Sequence, residues 1–336
     1  MEQLSIEQIN KFFLNYYVSS TNNLCDTLNC KYGSAFFSGL SIKLLNIIVY
    51  YSLFNKEPTF IRCHKQYELY RLEGIPLVEF YDKLKLNDPE YISIEKKLDL
   101  EDITQLFFKE PIDTIEITRL IHFHTNYQFM DYSSIKFDIL GPLISKYFTP
   151  SSTICDKIET LIEKYNIDFD NTCSIMYRGS DKICETNLPT YIEFLEKARL
   201  LKNKLKNNNL KFLLQTDEQE FIDTFLKDPE IGPLCFFFSE VPRIDKEKHS
   251  IIASIHTNKI ENVSWYLASI IIMSKTNNII CTSDNGSLWI TLFRNNAYGV
   301  YQYFNHDNHE GHYQKITGIR RDPTSLTTVD LSFFLK

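Results

Sequence analysis

The chain has 336 residues, a formal net charge of −7 and 43% hydrophobic residues. This length predicts two domains with separate cores, because one domain per about 150 residues is usual. The composition excludes disordered, collagen-like and repeat-array proteins, and the mildly acidic charge gives no sign of a broad nucleic-acid-binding surface.

Cysteine usage and the N-terminus predict a soluble, cytoplasmic protein. The eight cysteines are irregularly spaced without a CxxC pair, which favours a reducing compartment over a disulfide framework. Residues 1–10 are polar and acidic, unlike a signal peptide. The longest apolar stretch, 35–54, contains Lys43 and Asn46, which favours an amphipathic core helix over a membrane span. A zinc site remains an alternative, although its spacing matches no recognisable motif: Cys25, Cys30, Cys63 and His64.

The N-terminal half predicts an α/β domain. A loop at 31–34 leads into a helix that continues to about Phe54, with apolar residues at helical spacing: Phe37, Leu40, Leu44, Ile47 and Tyr51. Residues 58–62 then predict a strand, and the succession of loop, helix and strand is typical of α/β proteins. Helices are predicted at 137–148 and 154–165. We place the domain boundary between them, giving domains at 1–149 and 150–325, with 326–336 returning to the first domain.

The C-terminal half predicts a doubly wound parallel sheet. Short apolar runs predict strands at 172–177, 211–215, 234–238, 278–282 and 298–304. The helices predicted between them span 189–205, 217–226, 262–274 and 287–294. Ligands of such sheets bind beyond the carboxyl ends of the strands. This rule selects three polar loops, 178–185, 216–218 and 283–287.

The first of these loops carries residues suited to a nucleoside diphosphate. The guanidinium of Arg178, at a strand end, would neutralise a departing diphosphate without a metal ion. Lys182 would add a second positive charge, and Asp181 would orient Arg178 or Lys182. Glu185 is the nearest carboxylate that could act as a base. An ordinary charged surface turn is the alternative interpretation.

The third loop precedes a helix and predicts a phosphate or ribose site. Backbone N–H groups at a helix N-terminus, with a glycine that permits close approach, suit such a ligand. We assign five residues to donor binding: Ser283, Asp284, Asn285, Gly286 and Ser287. Asn285 or Ser287 is expected to cap the helix. Capping with no ligand explains the same residues equally well.

Four short motifs resemble the fucosyltransferase superfamily of GT-B glycosyltransferases, which includes α1,6-, nodulation and O-fucosyltransferases. Residues 178–182 resemble its Arg-x-x-Asp-Lys loop, 213–217 a strand ending in Thr-Asp, 278–283 the last donor-site strand, and 30–34 a glycine-rich loop. The matches span about residues 28–55 and 150–305, in the family's order.

This resemblance implies an α/β GT-B fold, with two Rossmann-like domains whose parallel sheets face each other across a cleft. It also implies an inverting, metal-independent enzyme that needs no cofactor and transfers fucose from GDP-fucose to a glycan or other hydroxyl acceptor. Arg178 would hold the donor β-phosphate, and the following residues would bind the donor or border the cleft: Asp181, Lys182, Thr216, Asp217, Tyr32, Gly33 and Ser34. Glu185 lies one residue from the position of the family's proposed base.

Two departures from the family pattern leave the donor open. The family's second arginine is Gly179 here, and its guanine-recognising helix aspartate falls near Ser269. The alternatives are a GT-B enzyme with another sugar nucleotide and a non-catalytic nucleotide- or glycan-binding relative.

Three further features have a functional and an ordinary interpretation. Asp168 and Asp170 form a DxD motif, the metal site of the competing GT-A fold, but they precede a strand and favour a solvated turn. A histidine triplet near the C-terminus favours a loop over a metal site: His306, His309 and His312. Arg243 and His256 lie in a polar insert that would close over a donor or form a surface loop.

Overall fold

The computed structural model describes residues 27–29, 36–37, 40–41, 43–44, 47, 60–70, 77–81, 131–179, 186–243, 259–303 and 306–307. The chain divides into two compact units. The first comprises residues 1–126 and 134–151, and the second comprises residues 127–133 and 152–336. Within the described ranges, no helix combines the length and the apolar character needed to cross a bilayer.

The first unit contains a three-stranded parallel sheet. Its strands are β1 (Thr27–Asn29), β2 (Phe60–His64) and β3 (Leu77–Tyr81), in that spatial order. Between β1 and β2 the described residues from 36 to 47 are helical. Of the five predicted apolar positions of this helix, Tyr51 lies outside the described residues, and the other four are buried: Phe37, Leu40, Leu44 and Ile47. Lys43 is also buried, so the charge expected to interrupt the apolar stretch lies inside the unit.

Helix α1 (Phe137–Tyr147) belongs to the same unit. The hydroxyl of Tyr67 donates a hydrogen bond to the carbonyl oxygen of Tyr147 at 2.8 Å. The rings of Tyr67 and Tyr70 both meet the ring of Phe148 edge to face. These contacts pack the end of α1 against the segment that follows β2.

The second unit is built on a five-stranded parallel sheet, which confirms the predicted fold class in its general form. Its strands are β4 (Thr172–Tyr177), β6 (Lys211–Thr216), β7 (Cys235–Phe236), β8 (Asn278–Thr282) and β9 (Val300–Tyr303). Two short strands, β5 (Thr186–Asn187) and β10 (His306–Asp307), form a separate antiparallel pair. Every residue of β4, β8 and β9 is buried, as expected of strands covered on both faces.

Among the described residues, five helices accompany this sheet: α2 (Ser152–Tyr165), α3 (Tyr191–Leu205), α4 (Gln219–Lys227), α5 (Lys259–Ser274) and α6 (Asn285–Arg294). Pro189 was expected to start α3, but Thr190 is its N-cap and forms a capping box with Glu193. The strand predicted at 234–238 shrinks to β7, because Gly232–Leu234 forms a 3₁₀ turn with Pro233 at its start.

The two faces of the sheet are occupied differently. On the face that we call the α3 face, Ile175, Leu214 and Ile280 join one apolar cluster with Phe194 of α3 and Phe221 of α4. Successive strand residues point to opposite faces, so Met176 and Gln215 lie on the other side, which we call the α6 face. Helix α6 begins on that side, with its Gly286 next to the Met176 methyl group.

The strand order marks the position beside β4 as the candidate for ligand binding. The spatial order is β7-β6-β4-β8-β9, so the chain starts in the centre, adds two strands on one side and then two on the other. The direction reverses between β4 and β8, and ligands of open α/β sheets bind at the carboxyl ends of the strands at such a switch point. The residues that follow β4, β6 and β8 therefore define the candidate site.

Candidate functional site

Arg178 lies directly after β4, at the switch point. Its backbone N–H donates to Oγ1 of Thr282, the last residue of β8, at 3.0 Å. Its guanidinium forms an ion pair with the Asp217 carboxylate, just after β6. The Arg178 side chain is only 29% exposed. The structure thus holds the guanidinium at the carboxyl edge of the sheet and does not release it into bulk solvent.

Asp217 orients the turn that carries Arg178. One carboxylate oxygen pairs with the guanidinium, and Oδ1 accepts a hydrogen bond from the Gly179 N–H at 2.9 Å. From sequence, Asp217 was a donor-binding residue and Asp181 was to orient the arginine. The structure gives an orienting contact to Asp217, and Asp181 lies outside the described residues.

Glu218, the last residue of the selected loop 216–218, is a buried carboxylate at the same edge and was assigned no individual role from the sequence. The residue is only 3% exposed, and it accepts a hydrogen bond from the Tyr191 hydroxyl at 2.6 Å. Its backbone N–H donates to Oγ1 of Thr216 at 3.1 Å, so the predicted donor-binding Thr216 also shapes this turn. Burial, together with the hydrogen bond to Glu218, raises the pKa of Tyr191.

Gly179 lies directly beside the carboxyl group of Glu218. A Cβ atom on Gly179 would overlap the Glu218 carboxyl group and lie 2.7 Å from its Oε1. Real Cβ atoms do not approach other atoms this closely, so a larger residue at 179 needs the carboxylate to move. At the position of the second arginine in the fucosyltransferase motif, this chain therefore has a glycine whose backbone lies beside a buried carboxylate.

Asp284 is the N-cap of α6, so the prediction of Asn285 or Ser287 was wrong. Its Oδ1 accepts from the Ser287 N–H at 3.0 Å, and its Oδ2 accepts from the hydroxyls of Ser287 and Thr282. The helix begins one residue after the cap, and the carboxylate reaches the third N–H in the manner of an aspartate cap. The N–H groups of Asn285 and Gly286 have no partner within the helix and can serve an anion.

Ser283 ties β8 to β9. Its N–H and its hydroxyl both donate to the Tyr303 carbonyl oxygen, at 2.9 and 2.8 Å, and its hydroxyl accepts from the Gln302 amide at 2.7 Å. Tyr132 supports the same loop, because its hydroxyl donates to the Asp284 carbonyl oxygen at 3.1 Å. Its N–H donates to the side-chain oxygen of Gln302 at 2.9 Å.

Tyr266 of α5 is a further residue that the sequence did not reveal. A Cβ atom on Gly286 would lie 2.8 Å from the Tyr266 hydroxyl, so this glycine admits the ring to the start of α6. Burial and the nearby Asp284 carboxylate raise the pKa of Tyr266, and the Arg178 charge opposes them. Ser269 is fully buried, and its hydroxyl donates to the Tyr266 carbonyl oxygen at 2.8 Å. Ser269, which falls near the position of the family's guanine-recognising aspartate, therefore forms a hydrogen bond with the backbone of its own helix.

The structure describes the turn that contains Asp168 and Asp170, and it describes Arg243 of the polar insert. Oδ1 of Asp168 accepts from the Asp170 N–H at 3.1 Å, in a turn before β4 and thus at the opposite edge from Arg178, as the solvated-turn interpretation predicts. The hydrogen bond from the Asn171 side chain lowers the pKa of Asp168. Arg243 donates to the Phe238 carbonyl oxygen at 2.9 Å and lies over the Phe237 ring. Burial lowers the pKa of Arg243 to about 10.

Several predicted residues lie outside the described part of the chain: Tyr32, Gly33, Ser34, Asp181, Lys182, Glu185, Cys25, Cys30, His256, His309 and His312. Of the histidine triplet, His306 is described and pairs with Asn187 between β10 and β5. Across the described ranges, no three histidine, cysteine or acidic residues are grouped so as to hold a metal ion.

Comparison with known proteins gives matches among solved structures. No protein-family model matches the chain, and no curated protein does. A structure of NodZ α1,6-fucosyltransferase co-crystallised with GDP is similar to it, with 12% identity and a TM-score of 0.42, over 80% of this chain and 91% of that one. A structure of the same enzyme soaked with GDP-fucose has 13% identity and a TM-score of 0.42, with the same coverage.

Proposed function

We propose that this protein is a glycosyltransferase that binds a sugar nucleotide at the carboxyl edge of its five-stranded sheet. The observation that carries the proposal is the position of Arg178. Its guanidinium lies at the switch point of a parallel sheet and pairs with Asp217 after β6, its side chain is only 29% exposed, and its backbone N–H donates to Thr282 at the end of β8. This is the place where α/β sheets bind nucleotides.

The proposed chemistry is displacement at the anomeric carbon with inversion. As the glycosidic bond breaks, negative charge grows on the departing diphosphate, and Arg178 stabilises it. The guanidinium has five N–H donors, and one of its terminal nitrogens pairs with a carboxylate oxygen of Asp217. The N–H groups of Asn285 and Gly286 at the start of α6 add further donors. No metal ion is needed for this stabilisation.

Carboxylates at the same edge make Arg178 indispensable in this proposal. Asp217, Glu218 and Asp284 all lie beside the strand ends, and each would repel a diphosphate. A direct contact from the arginine is therefore required to offset this repulsion. The base that deprotonates the acceptor hydroxyl stays assigned to Glu185.

The donor and acceptor are proposed from the motif resemblance. GDP-fucose is the leading donor, because residues 178–182 and 213–217 resemble motifs of enzymes that use it. The acceptor is a glycan or another hydroxyl-bearing molecule. In a GT-B enzyme the two Rossmann-like domains bind donor and acceptor between them, and here the second unit would bind the donor.

Replacement of Arg178 tests the proposal. We expect R178A to weaken GDP binding at least tenfold, since hydrogen bonds to charged groups contribute about 1.5–3 kcal/mol. Transfer or hydrolysis of GDP-fucose should fall further, with little change in melting temperature. R199A is a matched control, because Arg199 also forms an ion pair, with Asp228, away from the strand ends. Unchanged GDP binding and turnover in R178A would remove Arg178 from the assigned role.

A non-catalytic nucleotide-binding relative is the second candidate, favoured by one observation. The Glu218 carboxylate occupies the space beside Gly179, where the family carries a second cationic side chain. The site therefore has one described cation fewer to stabilise a leaving group. Tight binding of GDP without transfer or hydrolysis of GDP-fucose would support this candidate, and turnover would exclude it.

A further inference from the structure

Gln215 has a buried amide oxygen with no hydrogen-bond partner. The residue is the last but one of β6 and is only 2% exposed. Its amide nitrogen makes one long contact, 3.4 Å, with the Thr216 carbonyl oxygen. Within the described structure, its Oε1 accepts no hydrogen bond. A buried unpaired acceptor lowers stability, and an apolar side chain of similar shape would avoid this loss.

The position of Gln215 connects it to the candidate site. In the parallel register Gln215 is opposite Met176 on β4, and Met176 is opposite Cys281 on β8. These three residues form a row across the α6 face, close to the carboxyl edge. A Cβ on Gly286 would lie 2.9 Å from the methyl group of Met176, so the start of α6 packs on this row. Gln215 is thus one strand away from the helix N-terminus.

A second unpaired amide oxygen lies at the same edge. Asn285 is the first residue of α6, and its Oδ1 is buried without a partner among the described residues. Amide oxygens accept hydrogen bonds, whereas Arg178 and the N–H groups of α6 donate them. The edge therefore offers donors suited to a diphosphate and, beside them, acceptors suited to N–H or hydroxyl groups.

We propose that Gln215 is a specificity-determining residue of the donor site, whose Oε1 accepts a hydrogen bond from an N–H or hydroxyl group of the bound sugar nucleotide. This inference rests on the proposed function, and it goes further by naming a residue that reads the uncharged part of the ligand. The unpaired oxygen in the free protein is then satisfied on binding. A site built to hydrogen-bond such a group discriminates strongly against ligands that lack it.

The test compares stability and affinity in Q215M, which has a similar length and no hydrogen-bonding group. We expect the melting temperature of the free protein to stay the same or rise, because an unpaired polar group is removed. We expect the affinity for GDP or GDP-fucose, measured by calorimetry, to fall about tenfold, the effect of losing one hydrogen bond. A loss seen with GDP itself assigns the contact to the nucleoside, and a loss seen only with GDP-fucose assigns it to the sugar.

Q302M is the stability control. Both ends of the Gln302 amide are paired, with the Tyr132 N–H at 2.9 Å and the Ser283 hydroxyl at 2.7 Å, so its replacement should lower the melting temperature. A similar drop in Q215M would overturn the inference, because it would show that Oε1 is already paired. Equal affinities of Q215M and the wild type would also overturn it. A wild-type protein that binds no nucleotide would refute the proposed function itself.

Discussion

The packing of Glu218 on Gly179 predicts a strong coupling between these two residues. In G179A the new methyl group would overlap the Glu218 carboxylate, which is only 3% exposed and is held by the Tyr191 hydroxyl at 2.6 Å. The carboxylate must move, and it then loses a hydrogen bond of a charged group, which is typically worth about 1.5–3 kcal/mol. In a protein of this size that loss lowers the melting temperature by about 2–4 °C.

A double-mutant cycle separates this steric mechanism from a general effect of alanine. E218A removes the obstructing carboxylate, so G179A should cost little in the E218A background. We expect a coupling energy of about 1–3 kcal/mol from urea unfolding of the wild type, both single variants and the double variant. E218Q, which keeps the bulk, should leave most of the penalty in place. Additive effects of G179A and E218A would refute the reasoning.

Two further predictions concern the cap of α6 and a buried thiol. D284A should lower the free energy of unfolding, measured by urea titration, by about 2–3 kcal/mol. The substitution removes the helix cap and the acceptor of the hydrogen bond that the Thr282 hydroxyl donates. D284S should restore part of this loss. Burial raises the pKa of Cys235 to about 12, above the ordinary thiol value near 9. Its contribution to stability is therefore complete below pH 9 and is lost between about pH 9 and 12, so C235A should flatten the fall in melting temperature over that range. An identical fall in both proteins would contradict this assignment.

Strands and helices could be predicted correctly from the sequence where the pattern of their own residues determines them. β4 was predicted at 172–177 and spans those residues, because its side chains are apolar or small and all are buried. β7 was predicted too long because the apolar run at 234–238 resembles a strand, although Pro233 and the 3₁₀ turn confine the ladder to two residues. The cap of α6 was misplaced by one or three residues, since four neighbouring polar residues could each cap a helix.

The candidate site was predictable where it depends on topology. The rule for parallel sheets selected the loops of Arg178 and Asp217 before any contact was known, and the structure joins these two residues in an ion pair. Tyr266 itself, and the role of Glu218 within the selected loop 216–218, were missed because their partners are distant in sequence. The Tyr191 hydroxyl reaches Glu218 across 27 positions, and no periodicity reports such a contact. Gln215 was missed since an unpaired oxygen has no sequence signature.

The hydrogen bonds of Tyr132 have a consequence for how the chain can be divided. Residues 127–133 are part of the second unit, the next stretch, 134–151, is part of the first, and the chain then returns. The larger unit is therefore discontinuous. A truncated protein beginning at residue 152 would lack Tyr132 and lose its hydrogen bonds to the Asp284 carbonyl oxygen and to the Gln302 side-chain oxygen. Excision of the second unit should thus retain the short upstream segment, supplied either through a shortened linker or as a separate peptide.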